Sequence, residues 1–320
     1  MYADRAFLIF FLHIFCETHF FSGDKDMPSK DKIISLLITI GFVITSCILL
    51  YPSFTDAVNN IEQTNIIGTY ESDIIQADVE EIKRMKAEAI AYNESIAEEQ
   101  KINPFAYRGN DVSDEEYENA LCISKTQSTM GFLEIPNIYI YLPVLHGTSS
   151  EELEHYLGHM YGTSLINGGP STHAVIAGHT GLQQADLFTD LTKLEIGDVF
   201  YIHVLDEIHV YTVCEINVVL PEEEDKYLQI EDGKDYITLY TCTPYGVNDH
   251  RLLVKGERTM PDIVKDNSNQ ASEDTVTVRK NQIAILKSAG IACIPTAILL
   301  IGIIRIFPGK KFRKNRYSKK

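Results

Sequence analysis

The chain has 320 residues, 45% of them hydrophobic and 23% charged, with a formal net charge of −17. This is the composition of a folded protein with room for one sizeable domain and appendages. The charge is unevenly sorted: residues 51–280 hold 15 basic and 40 acidic side chains, whereas everything after residue 280 has nine basic and no acidic ones, and so acidic a middle argues against nucleic-acid binding because it repels phosphate.

Taken in chain order, residues 2–21 are aromatic and apolar but carry His13, Glu17 and His19, and no clear cleavage site follows them. Met27 opens Met-Pro-Ser-Lys-Asp-Lys, which reads as a natural start, so residues 1–26 are read as an upstream extension of a cytoplasmic segment 1–32. Residues 33–50 form an uncharged run of eighteen residues. As a helix rising about 1.5 Å per residue, such a run nearly crosses a hydrocarbon core ~30 Å thick, and a transmembrane signal anchor is expected there. A second transmembrane region is expected over residues 283–307. Its uncharged centre, residues 289–304, lies between Lys287 and Arg305, whose long side chains can snorkel to the lipid surface. The tail 308–320 is densely basic, and Lys25, Lys30 and Lys32 flank the first run. Basic flanks belong on the cytoplasmic side, which places both termini inside and residues 51–280 outside. Membrane lipid is therefore an expected partner through two spans. Buried core helices are the alternative reading of each apolar run.

Within the outer region, residues 51–129 read as helical. Ile75, Val79, Ile82, Met85, Ala89, Tyr92 and Ile96 recur at steps of three or four, one apolar stripe on a single helix. Residues 101–109 break the pattern with Pro104 and Gly109. The loop carries Phe105 and Tyr107, large side chains that need something outside it to cover them. From Gly131 the texture turns to short runs of β-branched and aromatic residues punctuated by Gly and Pro, near residues 131–135, 138–144, 174–177, 199–205, 208–220, 236–241 and 252–255. This spacing predicts a mainly β fold: a closed barrel of about eight strands over residues 130–261, with one short helix within 182–194. A polar linker, 262–282, leads to the second apolar region.

Six cysteines form no regular pattern, and Cys16, Cys47 and Cys293 lie in the apolar segments. Of the remaining three, Cys242 stands out. In Thr238-Leu239-Tyr240-Thr241-Cys242 alternate residues share a face, and Pro244 and Gly246 end the strand directly afterwards. The thiol therefore lies at a strand end beside a loop, where sites tend to be built; taken alone it reads more readily as a buried structural cysteine. His179 closes the run Ala174-Val-Ile-Ala-Gly-His and sits at a strand-to-loop junction, an imidazole suited to moving protons near neutral pH, or an exposed loop histidine. Arg251 opens Arg251-Leu-Leu-Val-Lys after a connection just long enough to fold back, so adjacent antiparallel strands bring it close to Cys242. A guanidinium there can stabilise an oxyanion and bind a peptide carbonyl.

These segments resemble the sortases. Thr238-Leu-Tyr-Thr-Cys242 and the Arg251 strand are similar to the family's Thr-Leu-x-Thr-Cys and Arg signatures, Ala177-Gly-His179 is similar to its histidine motif, and the order His, Cys, Arg matches. The stretch from Cys242 to Arg251 and the two expected membrane spans resemble the class C, pilus-assembling branch. The resemblance implies a cysteine transpeptidase without cofactor. Cys242 is the expected nucleophile, His179 the proton-transfer partner and Arg251 the stabiliser. The expected substrate partners are a Leu-Pro-x-Thr-Gly-like sorting signal and a pilin lysine amine. It also implies a lid, for which Asn103, Pro104 and Phe105 are the matching residues; Asn103 stands where the branch has Asp, so a charged contact to Arg251 is missing. The alternatives are a housekeeping sortase anchoring proteins to cell wall, a hydrolysing cysteine peptidase and a non-enzymatic surface domain. His155 and His159 lack the Glu of a His-Glu-x-x-His site, His203 and His209 read as strand surface positions, and the run from Glu222 to Asp225 reads as a solvated loop. No metal is expected.

Overall fold

The computed structural model describes residues 29–102, 115–123, 128–182, 187–259 and 263–264. The expected lid residues Asn103, Pro104 and Phe105, the second apolar region 283–307 and the tail 308–320 lie outside them, as does the N-terminal extension. Two compact units divide the chain, and the unit Tyr51–Ala289 contains everything that bears on the site.

Helix α1, Ser29–Gln76, is followed after a break at Ala77 and Asp78 by α2, Val79–Ile102. The apolar stripe expected on one helix is thus split between two. Ile75 and Val79, at the break, are 70% and 75% exposed, while Met85, Ala89, Tyr92 and Ile96 of α2 are buried in the main core. The break has a local cause. Asp78 draws the amides of Glu81 and Ile82 onto its own carbonyl and offers its carboxylate to the amide of Glu80, starting a new helix with acidic residues in its first turn. Among the described residues no helix is long and apolar enough to cross a membrane; most side chains of residues 33–50 lie outside those residues.

Both helices are fastened to the sheet by polar contacts. The Tyr70 hydroxyl donates to the Met130 carbonyl (2.9 Å) and accepts from the Leu205 amide (2.8 Å). Asn93 accepts from the Leu165 amide (2.6 Å) and donates to Asn167 (3.1 Å), and Lys86 pairs with Asp206 and Glu207.

Among the described residues nine strands make one sheet: β1 Thr129–Ile135, β2 Ile140–His146, β3 Leu157–His159, β4 Thr172–Ala177, β5 Val199–Val204, β6 Glu207–Val219, β7 Asp235–Thr243, β8 His250–Arg258 and β9 Ile263–Val264. Their order is β5-β1-β2-β3-β4-β7-β8-β6-β9, and β5 also pairs with β6, so eight strands close on themselves. Ile237, Leu239, Leu252 and Val254 point into the barrel with Leu133, Ile176 and Phe200, and alternation places Tyr240 and Leu253 on the outer face.

The run 208–220, a long strand or a bent pair from its sequence, is one strand, and Cys214 marks a bulge where its register to β8 shifts. Other expectations are corrected or sharpened. Among the described residues of 182–194, where one short helix is expected, residues 191–193 form a 3-10 helix. Ile263 and Val264, expected in the linker, pair with Ile208 and Glu207. His203 and His209 are not surface residues: both are buried, and each ring contacts a carboxylate, Glu134 at 2.9 Å and Glu207 at 2.8 Å.

Candidate active site

Strand β7 lies between β4, which runs parallel to it, and β8, which runs antiparallel. Each neighbour brings one of the expected residues to Cys242. On the β8 side the register pairs Cys242 directly with Arg251, and directly paired residues project to the same face. On the β4 side Ala177 pairs with Tyr240, and the Gly178 amide continues the ladder to the Tyr240 carbonyl (3.0 Å). The Thr241 hydroxyl donates to the Gly178 carbonyl (2.6 Å), and the hydroxyls of Thr180 and Thr241 meet at 2.9 Å. The main chain of Gly178 and the side chain of Thr180, on either side of His179, are thereby tied to the two residues that precede Cys242. The Phe188 amide closes the arrangement on the His179 carbonyl (3.0 Å).

Sequence chemistry explains why this junction is so tight. A side chain at Gly178 would put its Cβ 2.6 Å from Leu157 and 2.7 Å from the Phe188 ring, so only glycine passes between them. Gly181 has φ +76°, and a Cβ there would lie 2.7 Å from the Tyr245 ring. The loops after His179 and after Cys242 are thus in contact. The connection from β7 to β8 turns with Asn248 at φ +60° and the amides of Val247 and Asn248 both on the Pro244 carbonyl.

His179, Cys242 and Arg251 are all half-buried. Arg251 is held on several sides. Its Nε donates to the Tyr240 hydroxyl (2.8 Å) and its Nη1 to the carbonyls of Asn248 and His250 (each 3.2 Å). Tyr240 donates in turn to Glu224 (2.7 Å), whose carboxylate lies 4.0 Å from Nε. Burial pulls the Arg251 pKa down, but the Tyr240 hydroxyl, the Cys242 thiol and Glu224 outweigh it and the net shift is upward. Burial and the Glu224 contact push the Tyr240 hydroxyl well above its ordinary value, so it stays protonated.

The residue run from Glu222 to Asp225, expected as a solvated loop, therefore divides: Glu222 and Glu223 are exposed, whereas Glu224 turns inward. It is carried there by Tyr227 and Leu228, which pack with Val175, Val219, Leu253, Met160 and Tyr240 on the barrel's outer face. Tyr240 shares a face with Cys242 and was legible as a neighbour. Glu224, eighteen positions before Cys242, had no sequence signal linking it to the site. Among the described residues no group of His, Cys, Asp and Glu could hold a metal. Among the described residues Cys122, Cys214 and Cys242 form no disulfide, and the strand register pairs Cys242 with Arg251.

The sortase domain model matches residues 133–259, which span the strands from β1 to β8. Sortase A of Bacillus anthracis is 30% identical over 132 residues, 41% of this chain and 60% of that protein; the chain thus spans about 60% of the length of the curated relatives it matches. Sortase C1 from Streptococcus agalactiae is similar in structure, with a TM-score of 0.56 and 40% identity over 62% of this chain and 99% of that one. Clostridium perfringens sortase C, solved with the C-terminal cell wall sorting motif, gives 0.53 and 39% over 62% of this chain and all of that one. With the domain match covering Cys242, His179 and Arg251, and with sortase C structures among its neighbours, the chain belongs to the sortase family.

Proposed function

We propose that the protein is a cysteine transpeptidase that cleaves a Leu-Pro-x-Thr-Gly-like sorting signal and joins it to a lysine amine of a pilin. The observation that carries this reading is the junction of β4, β7 and β8: Cys242 paired with Arg251 on one side, and His179 pinned by Gly178, Thr180 and Thr241 on the other.

The geometry suits acyl transfer. The Cys242 sulfur attacks the threonine carbonyl carbon, and the carbonyl electrons move to oxygen beside the Arg251 guanidinium. The Thr–Gly C–N bond then breaks, His179 gives a proton to the departing glycine amine, and a thioester remains on Cys242. A lysine amine attacks that thioester, gives up its proton through His179, and expels the Cys242 sulfur. An isopeptide bond forms where the thioester stood. Every group in the cycle belongs to the chain or its two substrates, so no cofactor enters the scheme.

The likeness to Streptococcus pneumoniae sortase C, whose structure bears on pilin substrate specificity, supports the pilin as acceptor over cell-wall anchoring. The uncharged runs within 33–50 and 289–304, with basic residues at their outer ends, support anchoring through two spans with the barrel outside the membrane. Asn103, Pro104 and Phe105 complete the proposal as an apolar cover for Cys242 that lacks a carboxylate for Arg251.

The full-length chain in detergent, incubated with a Leu-Pro-x-Thr-Gly peptide and excess amine, should give the amide of that amine and a transient adduct on Cys242. Hydrolysed peptide alone would make the protein a peptidase, and unchanged peptide would remove the enzymatic reading.

A further inference from the structure

We propose that Tyr240, oriented by Glu224, is a positioning residue that fixes the Arg251 guanidinium beside Cys242. This deepens the reading of the same site as a transpeptidase centre.

The chain of contacts has a direction. Glu224, an acceptor when ionised, takes the proton of the Tyr240 hydroxyl at 2.7 Å. With its proton committed, the Tyr240 oxygen turns lone pairs to the Nε–H of Arg251 at 2.8 Å. A tyrosine without the carboxylate is free to rotate its O–H, and nothing then selects the accepting orientation. The two main-chain carbonyls on Nη1 hold a second edge of the guanidinium. Nε and Nη1 are therefore both engaged, and a planar group held at two nitrogens has little freedom left.

The carboxylate acts at one remove. A glutamate bonded directly to Arg251 would offset its charge and occupy N–H groups that a carbonyl oxygen needs. Here a neutral hydroxyl makes the contact at Nε, and the carboxylate stands 4.0 Å from that nitrogen. The device holds the arginine and leaves its positive charge felt at the Cys242 thiol, which is one of the groups setting its pKa. The loop bearing Glu224 is kept in place by the outer-face cluster that includes the Tyr240 ring itself. The titratable groups that act on Arg251 are Tyr240 and Cys242 on β7 and Glu224 from the segment before it; His179 follows the end of β4, and Asp249 and His250, paired with each other, directly precede Arg251 in the chain.

Tyr240→Phe removes one oxygen and no charge, and it keeps the ring in its cluster. The test follows iodoacetamide alkylation of the peptide bearing Cys242 by mass spectrometry, on the full-length chain in detergent at pH 7. It compares wild type, Tyr240→Phe, Arg251→Gln and the double variant. A released Arg251 stabilises the thiolate less, so Tyr240→Phe should slow alkylation by about 3- to 10-fold. In the Arg251→Gln background the same substitution should change nothing, because its effect runs through the arginine. In peptide transfer, Tyr240→Phe should lower kcat by about ten-fold and leave KM within about two-fold, as expected for a contact used in the transition state. Wild-type alkylation rates in Tyr240→Phe would overturn the inference, as would a slowing of equal size in the Arg251→Gln background. Absence of peptide transfer by the wild type would instead remove the functional reading, and the alkylation cycle would still decide the role of Tyr240.

Discussion

Strand β8 carries an arginine near each end, and the two are treated in opposite ways. Arg258 makes a direct ion pair with Asp235 at 2.8 Å. That carboxylate also receives the Gly169 amide (2.8 Å), the Tyr211 hydroxyl (2.9 Å) and the Thr172 hydroxyl (3.3 Å), so four segments converge on one acidic group. Arg251 hydrogen-bonds the Tyr240 hydroxyl, which in turn donates to the carboxylate of Glu224 4.0 Å away, beside a half-buried thiol and a loop with Tyr245 and Val247 exposed. The first end spends its charge on closing the barrel. The second keeps its charge available at a surface. A direct, well-satisfied pair marks architecture, and a cation held by a hydroxyl and carbonyls marks a site.

The comparison breaks most sharply with one substitution at each end. Cys242→Ala should abolish the acyl-enzyme adduct seen by mass spectrometry and leave the thermal transition where it was. Asp235→Ala should do the reverse. It strands the Arg258 charge and three other donors, at a cost of about 3 kcal/mol, which a denaturant titration would show as a lower midpoint. Below that transition Cys242 should alkylate at the wild-type rate. If Asp235→Ala changed the alkylation rate of the folded protein and left its midpoint unchanged, the division of labour along β8 would be wrong.

The Cys242 end of this comparison was partly legible before the fold, and the reason is physical. Strand β7 alternates, so Ile237 and Leu239 had to share one face and Cys242 the other with Tyr240; β8, with Leu252, Leu253 and Val254 in succession, shows no such period, and the Arg258 pair with Asp235 had no sequence signal. What stayed hidden depends on partners distant in sequence. Strand β3 has three residues, too few to show a period, and exists because β2 and β4 offer it ladders on both sides. His203 read as a surface position because the carboxylate that lets it be buried, Glu134, lies 69 residues away; the partner of His209, Glu207, is two residues away on the same strand face, a signal that period does carry. Glu224 turns inward because Tyr227 and Leu228 find the outer-face cluster, while a run of four acidic residues gives no hint which one will turn.

The two ends should also differ in their response to acid. Burial lowers His159 and His173 from 6.5 to about 4. His173 is anchored toward the Asp235 end, with its ring nitrogens on the Gln229 carbonyl (2.9 Å) and the Thr238 hydroxyl (2.8 Å). Both rings stay neutral in the fold and gain protons more readily when unfolded. The unfolded chain therefore binds more protons between pH 6.5 and about 4, and stability falls as pH drops through that window. The loss should be on the order of a few kcal/mol for the pair. Glu207, held down to about 2 chiefly by His209, adds its own loss only at lower pH. Denaturant midpoints at pH 7.5, 6 and 5 should decline steadily, and His173→Gln should flatten the decline. A flat wild-type profile over that range would mean that neither ring is buried neutral.

The smallest effects come from replacing each arginine by lysine, and they test the comparison most finely because charge is conserved. Lysine presents a compact ammonium on a flexible stem and lacks the planar fork. At the Asp235 end an ammonium can still reach the carboxylate, and Asp235 keeps its bonds from Gly169, Tyr211 and Thr172. Arg258→Lys should therefore cost about 1 kcal/mol of stability and leave peptide transfer unchanged. At the Cys242 end an ammonium can meet the Tyr240 hydroxyl or the main-chain carbonyls of Asn248 and His250, but it cannot hold both edges as Nε and Nη1 do. Arg251→Lys should leave the denaturant midpoint within about 0.5 kcal/mol and lower the kcat of peptide transfer. Its alkylation rate should fall less than that of Arg251→Gln, since the positive charge near Cys242 remains. Should Arg251→Lys transfer peptide as fast as wild type, the guanidinium would matter only as a charge, and the hold that Tyr240 and Glu224 exert on it would be a feature of packing.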